Sequence, residues 1–247
     1  MSTVSRPASY ADLPRTGGVR PPARLLLHSP LRGVAGTIVR RRWQVEVRGA
    51  ERFPMTGPVV VAANHIGFLD GPLMAVLGPR PVHALTKREM FVGGMGRFLR
   101  ASGQIPIWRR EPDPAAVRTA LRVLRDGGVV GVFPEGSRGA GVMTRAEGGA
   151  AYLAIATGAA VVPLSMLGTR EVGGSLNSVP PPGTRMVMTY GDPLVLPQHG
   201  WPRRRDEVRE ATHQVRQALL ATMRAAEAAT GLQLPGPVPP TTAKEQL

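Results

Sequence analysis

Apolar and polar residues follow one another along this chain in blocks that predict strands and helices in turn. Short apolar runs, typical of buried strands, occur at 59–63, 129–133, 161–167 and 186–190. Apolar residues recur at helical spacing in 117–124 and 204–230, and a shorter helix is expected from Asp70 to Leu77. This alternation predicts an α/β fold, a single domain built on a mixed sheet with helices on its faces.

The two ends of the chain differ in composition from its middle. Residues 1–22 are rich in Pro, Ser, Thr, Arg and Gly, and the Pro-rich tail 231–247 is similar, so we predict that both are disordered. One domain is expected over 23–230. Its first segment, 23–42, is apolar on one side and rich in arginine. Two interpretations stay open: a helix that lies in a membrane interface, or a helix that packs on the domain core.

The positive charge of the chain indicates an anionic partner. The formal net charge is +14, and nearly all the cations are arginines, because Lys87 and Lys244 are the only lysines. GC-rich coding would give the same bias. Arginine nevertheless binds phosphate well, so an anionic membrane surface is the expected partner. No nucleic-acid binding is expected, because an aromatic content of 4% leaves little for base stacking.

Three absences from the sequence narrow the class of protein. Without cysteine, disulfides, thiolate catalysis and cysteine-ligated metals are excluded. No apolar run approaches the roughly 20 residues of a membrane-spanning helix. The N-terminus lacks the pattern of a secretory signal. We therefore expect a peripheral protein at the cytoplasmic face of the cell membrane.

The first polar site follows the strand predicted at 59–63. That strand runs directly into Asn64 and His65, and Asp70 comes five residues after the histidine. A histidine near a carboxylate can take a proton from an alcohol. Since a continuous helix would place positions five apart on different sides, the chain between them must turn back, which Gly67 permits. The alternative is that Asp70 serves only as the N-cap of the helix it begins.

The second polar site is the segment Phe133–Arg138, with the sequence FPEGSR. Its backbone N–H groups, hydroxyl and cation suit an oxyanion or a phosphate, although a strand-to-loop turn with a solvated ion pair would have the same residues. Both polar sites follow apolar strands, so they should lie at the rim where α/β sheets bind ligands.

Other reaction classes find no support in the chain. It has no nucleotide-binding P-loop, its histidines lack metal-ligand spacing, and the Gly-x-Ser-x-Gly elbow of lipid hydrolases is missing. We expect no metal and no cofactor.

These segments resemble the sequence blocks of the glycerolipid acyltransferases, most closely the 1-acylglycerol-3-phosphate (lysophosphatidate) acyltransferases. The first block is Asn64-His65-x4-Asp70, and segments 103–109, Phe133–Arg138 and 161–164 are similar to the second, third and fourth. The resemblance covers residues 43 to about 190. It implies the fold of glycerol-3-phosphate acyltransferases.

By this resemblance, His65 is the general base for the acceptor hydroxyl, and Asp70 orients its ring. The activated hydroxyl attacks an acyl thioester, on coenzyme A or acyl-carrier protein, without a covalent enzyme intermediate. Roles in substrate binding fall on a further set of residues: Asn64, Lys87, Arg109, Glu135, Gly136, Ser137 and Arg138.

The resemblance implies an O-acyltransferase that makes phosphatidate from lysophosphatidate in phospholipid synthesis. Two departures concern phosphate binding: Trp108 precedes Arg109 where the family often has Asp, and Gly139 follows Arg138 where it commonly has a polar residue. Another acceptor (glycerol 3-phosphate, a lyso-ornithine lipid or a glycolipid) therefore stays an alternative. Outside this class, the rival is a non-catalytic basic protein that binds membrane or nucleic acid.

Overall fold

The computed structural model of this protein describes residues 19, 22, 26, 29–109, 111–200 and 202–238. Within them, seven strands form one sheet: β1 (Gln44–Arg48), β2 (Val59–Ala63), β3 (Val82–Lys87), β4 (Ile105–Ile107), β5 (Val129–Val132), β6 (Ala160–Leu167) and β7 (Arg185–Tyr190). Their order across the sheet is β1-β7-β6-β2-β5-β3-β4. Strand β2 lies near the centre, and all five of its residues are buried, as its continuous apolar run predicts.

The sheet is mixed because two strands at one end oppose the other five. Strands β6, β2, β5, β3 and β4 are parallel, whereas β7 pairs antiparallel with β6 and β1 pairs parallel with β7. The carboxyl ends of the five parallel strands therefore open on one edge of the sheet, here called the carboxyl edge. The predicted α/β fold with a mixed sheet is confirmed.

Helices cover both faces of this sheet. They are α1 (Leu31–Arg42), α2 (Asp70–Leu77), α3 (Gly93–Ala101), α4 (Pro114–Arg125), α5 (Gly149–Thr157) and α6 (Arg205–Thr230). Apolar residues of α4, α5 and α6 form one buried cluster with the sheet, and those of α1 and α2 join a second cluster on the other face. None of the described helices is long and apolar enough to cross a bilayer.

Segment 23–42 forms a helix only from Leu31 onward. Helix α1 partly supports both interpretations, because Val39 packs against the core while Leu31, Val34 and Ile38 are more than half exposed. Whether this exposed row meets a membrane stays a prediction.

The tail after α6 differs from the expected disorder over its first residues. Pro235 is buried, Leu234 packs on the cluster of Met143 and Leu219, and the carbonyl of Gly236 accepts a hydrogen bond from Arg170. The first residues of this tail therefore contact the domain, and disorder of the tail as a whole stays a prediction. Residues 239–247, and residues 1–22 apart from Val19 and Pro22, lie outside the described residues.

Candidate active site

His65 and Asp70 meet at the carboxyl edge, where β2 ends and α2 begins. The Nδ1 atom of His65 lies 2.8 Å from Oδ2 of Asp70. The same oxygen accepts the backbone N–H groups of Ile66 at 2.7 Å and Gly67 at 2.8 Å. Since N–H groups can only donate, Oδ2 is an acceptor, and the hydrogen of the neutral imidazole is on Nδ1. This leaves Nε2 as the ring atom that can take a proton.

Asp70 does not cap α2, contrary to the expectation from its position. Its carboxylate turns back onto the preceding loop, and no side chain caps the first turn of the helix. The side chain is fully buried, and its second oxygen accepts the hydroxyl hydrogen of Thr169. A buried carboxylate with four donors is held in one orientation, which fixes the ring of His65 in turn.

Gly67 allows this loop to form, for a reason different from the expected one. Its backbone has no unusual φ, but a Cβ added there would clash with the carbonyl oxygen of Thr169. The absence of a side chain therefore lets the loop after β2 approach the loop after β6.

The imidazole of His65 is packed on one face and open at its edge. Its ring stacks on Phe133, with centroids 3.9 Å apart and the planes at 16°. The side chain of His65 keeps 19% of its surface exposed, so solutes can reach it from the carboxyl edge. Phe133 directly follows β5, the strand next to β2, so the pairing of β2 with β5 brings the two rings together.

Glu135 connects the two polar sites through the backbone of His65. Its Oε1 accepts the N–H of His65 at 2.9 Å, and the N–H of Met143 also donates to the carboxylate. Burial raises the pKa of Glu135 to about 7, and the negative charge of Asp70 acts in the same direction. Glu135 therefore positions the loop of His65 and can change its charge near neutral pH.

The turn after β5 brings the second and third predicted blocks together. Gly136 has a φ of 70°, in the left-handed region that favours glycine, and its carbonyl accepts Nη1 of the exposed Arg109 at 3.1 Å. Ser137 and Arg138 follow, both half-buried. Arg138 reaches the neighbouring loop, where its Nη1 donates to the carbonyl of Leu176 at 2.6 Å and to Oδ1 of Asn177 at 2.9 Å.

Two predicted substrate-binding residues occupy other positions. Asn64 is fully buried, and both ends of its amide bond the backbone of Met166, so it joins β2 to β6 and does not reach the cleft. That part of the prediction is corrected. Lys87 ends β3 at the carboxyl edge, where its ammonium lies 3.7 Å from Glu89. Lys87 therefore lies at the carboxyl edge with the predicted site residues, and the contact that its ammonium makes there is with Glu89.

Sequence reasoning missed two residues that support the site. Besides Thr169, the buried Arg170 donates to four carbonyl oxygens, those of Ile66, Gly139, Gly174 and Gly236. Arg170 thereby joins the loop of His65 to the glycine-rich loop after Arg138 and to the C-terminal segment. The available signal was position alone: both residues follow β6, whose apolar run predicts that it ends at this edge.

This arrangement can activate the hydroxyl group of a substrate that also carries a negative charge. Nε2 of His65 is free to accept a proton, and Asp70 can stabilise the imidazolium that forms. Arg109, Gly136 and Ser137 supply cationic and polar groups nearby. Among the described residues, no three His, Asp or Glu side chains cluster in a way that could hold a metal ion.

Comparisons with known proteins show which family this chain resembles. A family profile described as Acyltransferase matches residues 44–167, half of the chain. The 1-acyl-sn-glycerol-3-phosphate acyltransferase of Bacillus subtilis is 32% identical over 103 residues, which cover 41% of this chain and 52% of that protein. The alpha form from Mus musculus is 37% identical over 128 residues, 50% of this chain and 45% of that protein.

A solved structure shows the same fold. The 1-acyl-sn-glycerophosphate acyltransferase of Thermotoga maritima superposes with a TM-score of 0.58 at 22% identity, covering 81% of this chain and 78% of that one. The chain spans about half the length of the curated relatives it matches. The matched region contains the His65–Asp70 pair, Arg109 after β4 and the FPEGSR turn. Because the profile matches half of the chain, this chain belongs to the acyltransferase family, with similarity to its 1-acyl-sn-glycerol-3-phosphate acyltransferases.

Proposed function

We propose that this protein is an O-acyltransferase that moves a fatty acyl group from an acyl thioester to the free hydroxyl of lysophosphatidate, giving phosphatidate. The observation that carries the proposal is the buried Asp70 carboxylate, which holds Nδ1 of the partly exposed His65 and leaves Nε2 as the ring atom that can take a proton. Either acyl-CoA or acyl-carrier protein can supply the acyl group. In this proposal the acyl thioester and the acceptor are the only reactants.

The proposed step transfers one proton in and one proton out of the imidazole. Nε2 of His65 takes the proton of the acceptor hydroxyl while the hydroxyl oxygen attacks the thioester carbonyl carbon. The tetrahedral intermediate then collapses, the C–S bond breaks, and the thiolate takes the proton from the imidazolium. Asp70 stabilises the imidazolium through Nδ1 at 2.8 Å, so the pair returns to its starting state.

The phosphate of the acceptor is proposed to bind at the turn after β5. Arg109 and Arg138 supply the charge, and Gly136 and Ser137 supply polar groups between them. Arg109 is the better placed of the two cations, because it is exposed and touches the turn directly. Lys87, at the end of β3, is a further cation at the same edge.

We place the reaction at the cytoplasmic face of the membrane, with the protein bound peripherally. Helix α1 supports the peripheral membrane binding, because Leu31, Val34 and Ile38 are exposed and three arginines form its last turn. Such a helix can lie in the interface of an anionic membrane.

An acceptor panel tests this function. The purified protein is incubated with one long-chain acyl-CoA, or the matching acyl-carrier protein, and each acceptor in turn: lysophosphatidate, glycerol 3-phosphate, lyso-ornithine lipid, a glycolipid and uncharged monoacylglycerol. We expect lysophosphatidate to give the highest kcat/KM, with phosphatidate identified by mass spectrometry. A higher kcat/KM for another acceptor would reassign the substrate, and no acyl transfer to any of them would refute the activity.

A matched pair of arginine variants tests the phosphate site. Loss of one charge-assisted hydrogen bond costs about 1.5–3 kcal/mol, so Arg109→Ala should raise the KM for lysophosphatidate at least about tenfold. The KM for monoacylglycerol should stay the same. Arg224→Ala, an exposed arginine on α6, serves as the control. Equal KM values for the Arg109 and Arg224 variants would remove Arg109 from the phosphate site.

A further inference from the structure

Helix α3 exposes large apolar side chains that a helix on a sheet would normally bury. Met95 and Phe98 lie one turn apart with 49% and 56% of their surfaces exposed, and Val92, directly before the helix, is 68% exposed. The helix packs on the domain through the buried Gly96 and Leu99. A row of exposed apolar residues on one helix is typical of an interaction surface.

This surface begins at the rim of the candidate active site. Helix α3 starts six residues after Lys87, the last residue of β3, so its first turn lies near the carboxyl edge. Trp108 follows β4 at the same edge with 42% of its surface exposed, and the guanidinium of Arg88 lies 5.0 Å from the centre of its ring. Val92, Met95, Phe98 and Trp108 are called the α3 surface below.

The charged residues within the segment that carries the α3 surface are all arginines, although the carboxylate of Asp113 accepts the backbone N–H of Trp108 beside it. From Met90 to Arg110 the sequence contains no Asp or Glu, whereas Arg97 and Arg100 stand within the helix. Apolar side chains among arginines complement the boundary between the anionic head groups and the acyl chains of a bilayer. An exposed tryptophan beside a cation is also typical of that boundary.

The topology places α3 on the same face of the sheet as α1. Strand order shows that β2 to β3 and β3 to β4 step in the same direction, so right-handed crossovers put α2 and α3 on one face. Helix α1 packs beside α2 in the cluster on that face. In addition, the N–H of Leu26 donates to the carbonyl of Ala101, which joins the chain before α1 to the end of α3. The exposed apolar residues of α1 and the α3 surface can therefore contact the same flat surface.

We propose that the α3 surface docks on an anionic phospholipid bilayer and holds the rim of the active site against it. The choice of a lipid surface rests on the function proposed above, but α3 binds lipid in this proposal whether or not the acyl transfer occurs. Docking beside the rim would let a lysolipid pass from the bilayer to His65 without leaving the interface.

Vesicle sedimentation tests this proposal independently of catalysis. The full chain is mixed with vesicles of neutral phosphatidylcholine or of phosphatidylcholine with anionic phosphatidylglycerol, and the bound fraction gives a partition coefficient. We expect Met95→Ser/Phe98→Ser to lower the coefficient on anionic vesicles about tenfold, because two apolar side chains no longer enter the interface. Arg97→Gln should lower it about fivefold, with a weaker salt dependence.

Matched controls separate docking from folding and from catalysis. Val195→Ser changes a side chain that is 74% exposed near the opposite edge, so its partition coefficient should stay within about twofold of wild type. His65→Ala should bind vesicles as wild type does. Circular dichroism should show native spectra for all variants, since the substituted α3 side chains are exposed.

Two results would overturn the proposal. One is equal vesicle binding by the Met95/Phe98 and Val195 variants. The other is that the Met95/Phe98 variant loses affinity for a DNA duplex but keeps its vesicle binding, which would assign the surface to nucleic acid. A failure of acyl transfer alone would refute the proposed function and leave the docking result standing.

Discussion

Replacing Asp70 by Asn should separate the charge of this side chain from its structural role. Four donors surround the carboxylate: Nδ1 of His65, the N–H groups of Ile66 and Gly67, and the hydroxyl of Thr169. In Asp70→Asn the amide oxygen can keep the place of Oδ2, and the amide NH2 can donate to the Thr169 oxygen. The three hydrogen bonds to Oδ2 survive and the bond with Thr169 reverses its direction, while the negative charge is lost.

The size of the expected effect follows from the geometry of the pair. The charge centres of the imidazolium and the carboxylate are about 4 Å apart, a separation worth about 4 kcal/mol at an effective dielectric constant of about 20. Because about 1.4 kcal/mol corresponds to tenfold in rate, kcat should fall roughly 10³-fold. The free energy of unfolding should stay within about 2 kcal/mol of wild type, since only the hydroxyl hydrogen of Thr169 loses its acceptor.

The assay is thiol release from acyl-CoA at saturating acceptor, with thermal unfolding measured on the same samples. Asp70→Ala leaves the four donors without a partner and should cost at least about 3 kcal/mol of stability. Asp192→Asn makes the same chemical change at an exposed carboxylate and should alter neither quantity. A kcat for Asp70→Asn within tenfold of wild type would refute the role of the charge. If Asp70→Asn lost as much stability in thermal unfolding as Asp70→Ala, the loss of kcat would be structural.

Three further predictions concern the supporting residues. Gly67→Ala should destabilise the protein by about 1–3 kcal/mol in thermal unfolding and lower kcat, because its Cβ would clash with the Thr169 carbonyl. The control is Gly71→Ala, whose Cβ meets open space and which should be neutral or stabilising in the same unfolding assay. Arg170→Lys should lower both kcat and the melting temperature, since one ammonium cannot serve four separate carbonyls, and native values for both would contradict its positioning role. The pKa of Glu135 is raised to about 7, so the native state binds more protons than the unfolded state between about pH 4.5 and 7, and this residue's contribution to stability falls as pH rises through that window. The free energy of unfolding of Glu135→Gln, measured with denaturant, should therefore rise relative to that of wild type by up to about 3 kcal/mol between pH 4.5 and 8. Parallel pH profiles of the two proteins would show that the raised pKa is wrong.

The sequence predicted those elements whose apolar runs are continuous and end at polar residues. Strand β2 and helix α2 begin and end where the pattern places them, because an apolar run that is bounded by polar residues or glycine is a strong local signal. Helix α3 has no clear helical pattern in the sequence, because Gly93, Gly94 and Gly96 weaken it. Its packing on the domain, which the buried Gly96 and Leu99 provide, decides its conformation.

The site was less predictable than the fold, because it depends on the order of the strands. His65 and Asp70 are close in sequence, so their meeting needed only one turn of the chain. Thr169 and Arg170 contact them because β6 lies beside β2, and no local pattern gives that adjacency. The same adjacency explains Asn64, whose amide is used by Met166 on the neighbouring strand.

The most direct test of the account is the rate of thiol release from a long-chain acyl-CoA, with and without lysophosphatidate, by the wild-type protein and by His65→Ala. We predict that release by wild type requires the acceptor and equals the phosphatidate formed, and that His65→Ala loses at least about 10²-fold in kcat while it keeps a native fold. A near-normal rate in the folded His65→Ala protein, or release that ignores the acceptor, would contradict the claim that this imidazole activates a lipid hydroxyl.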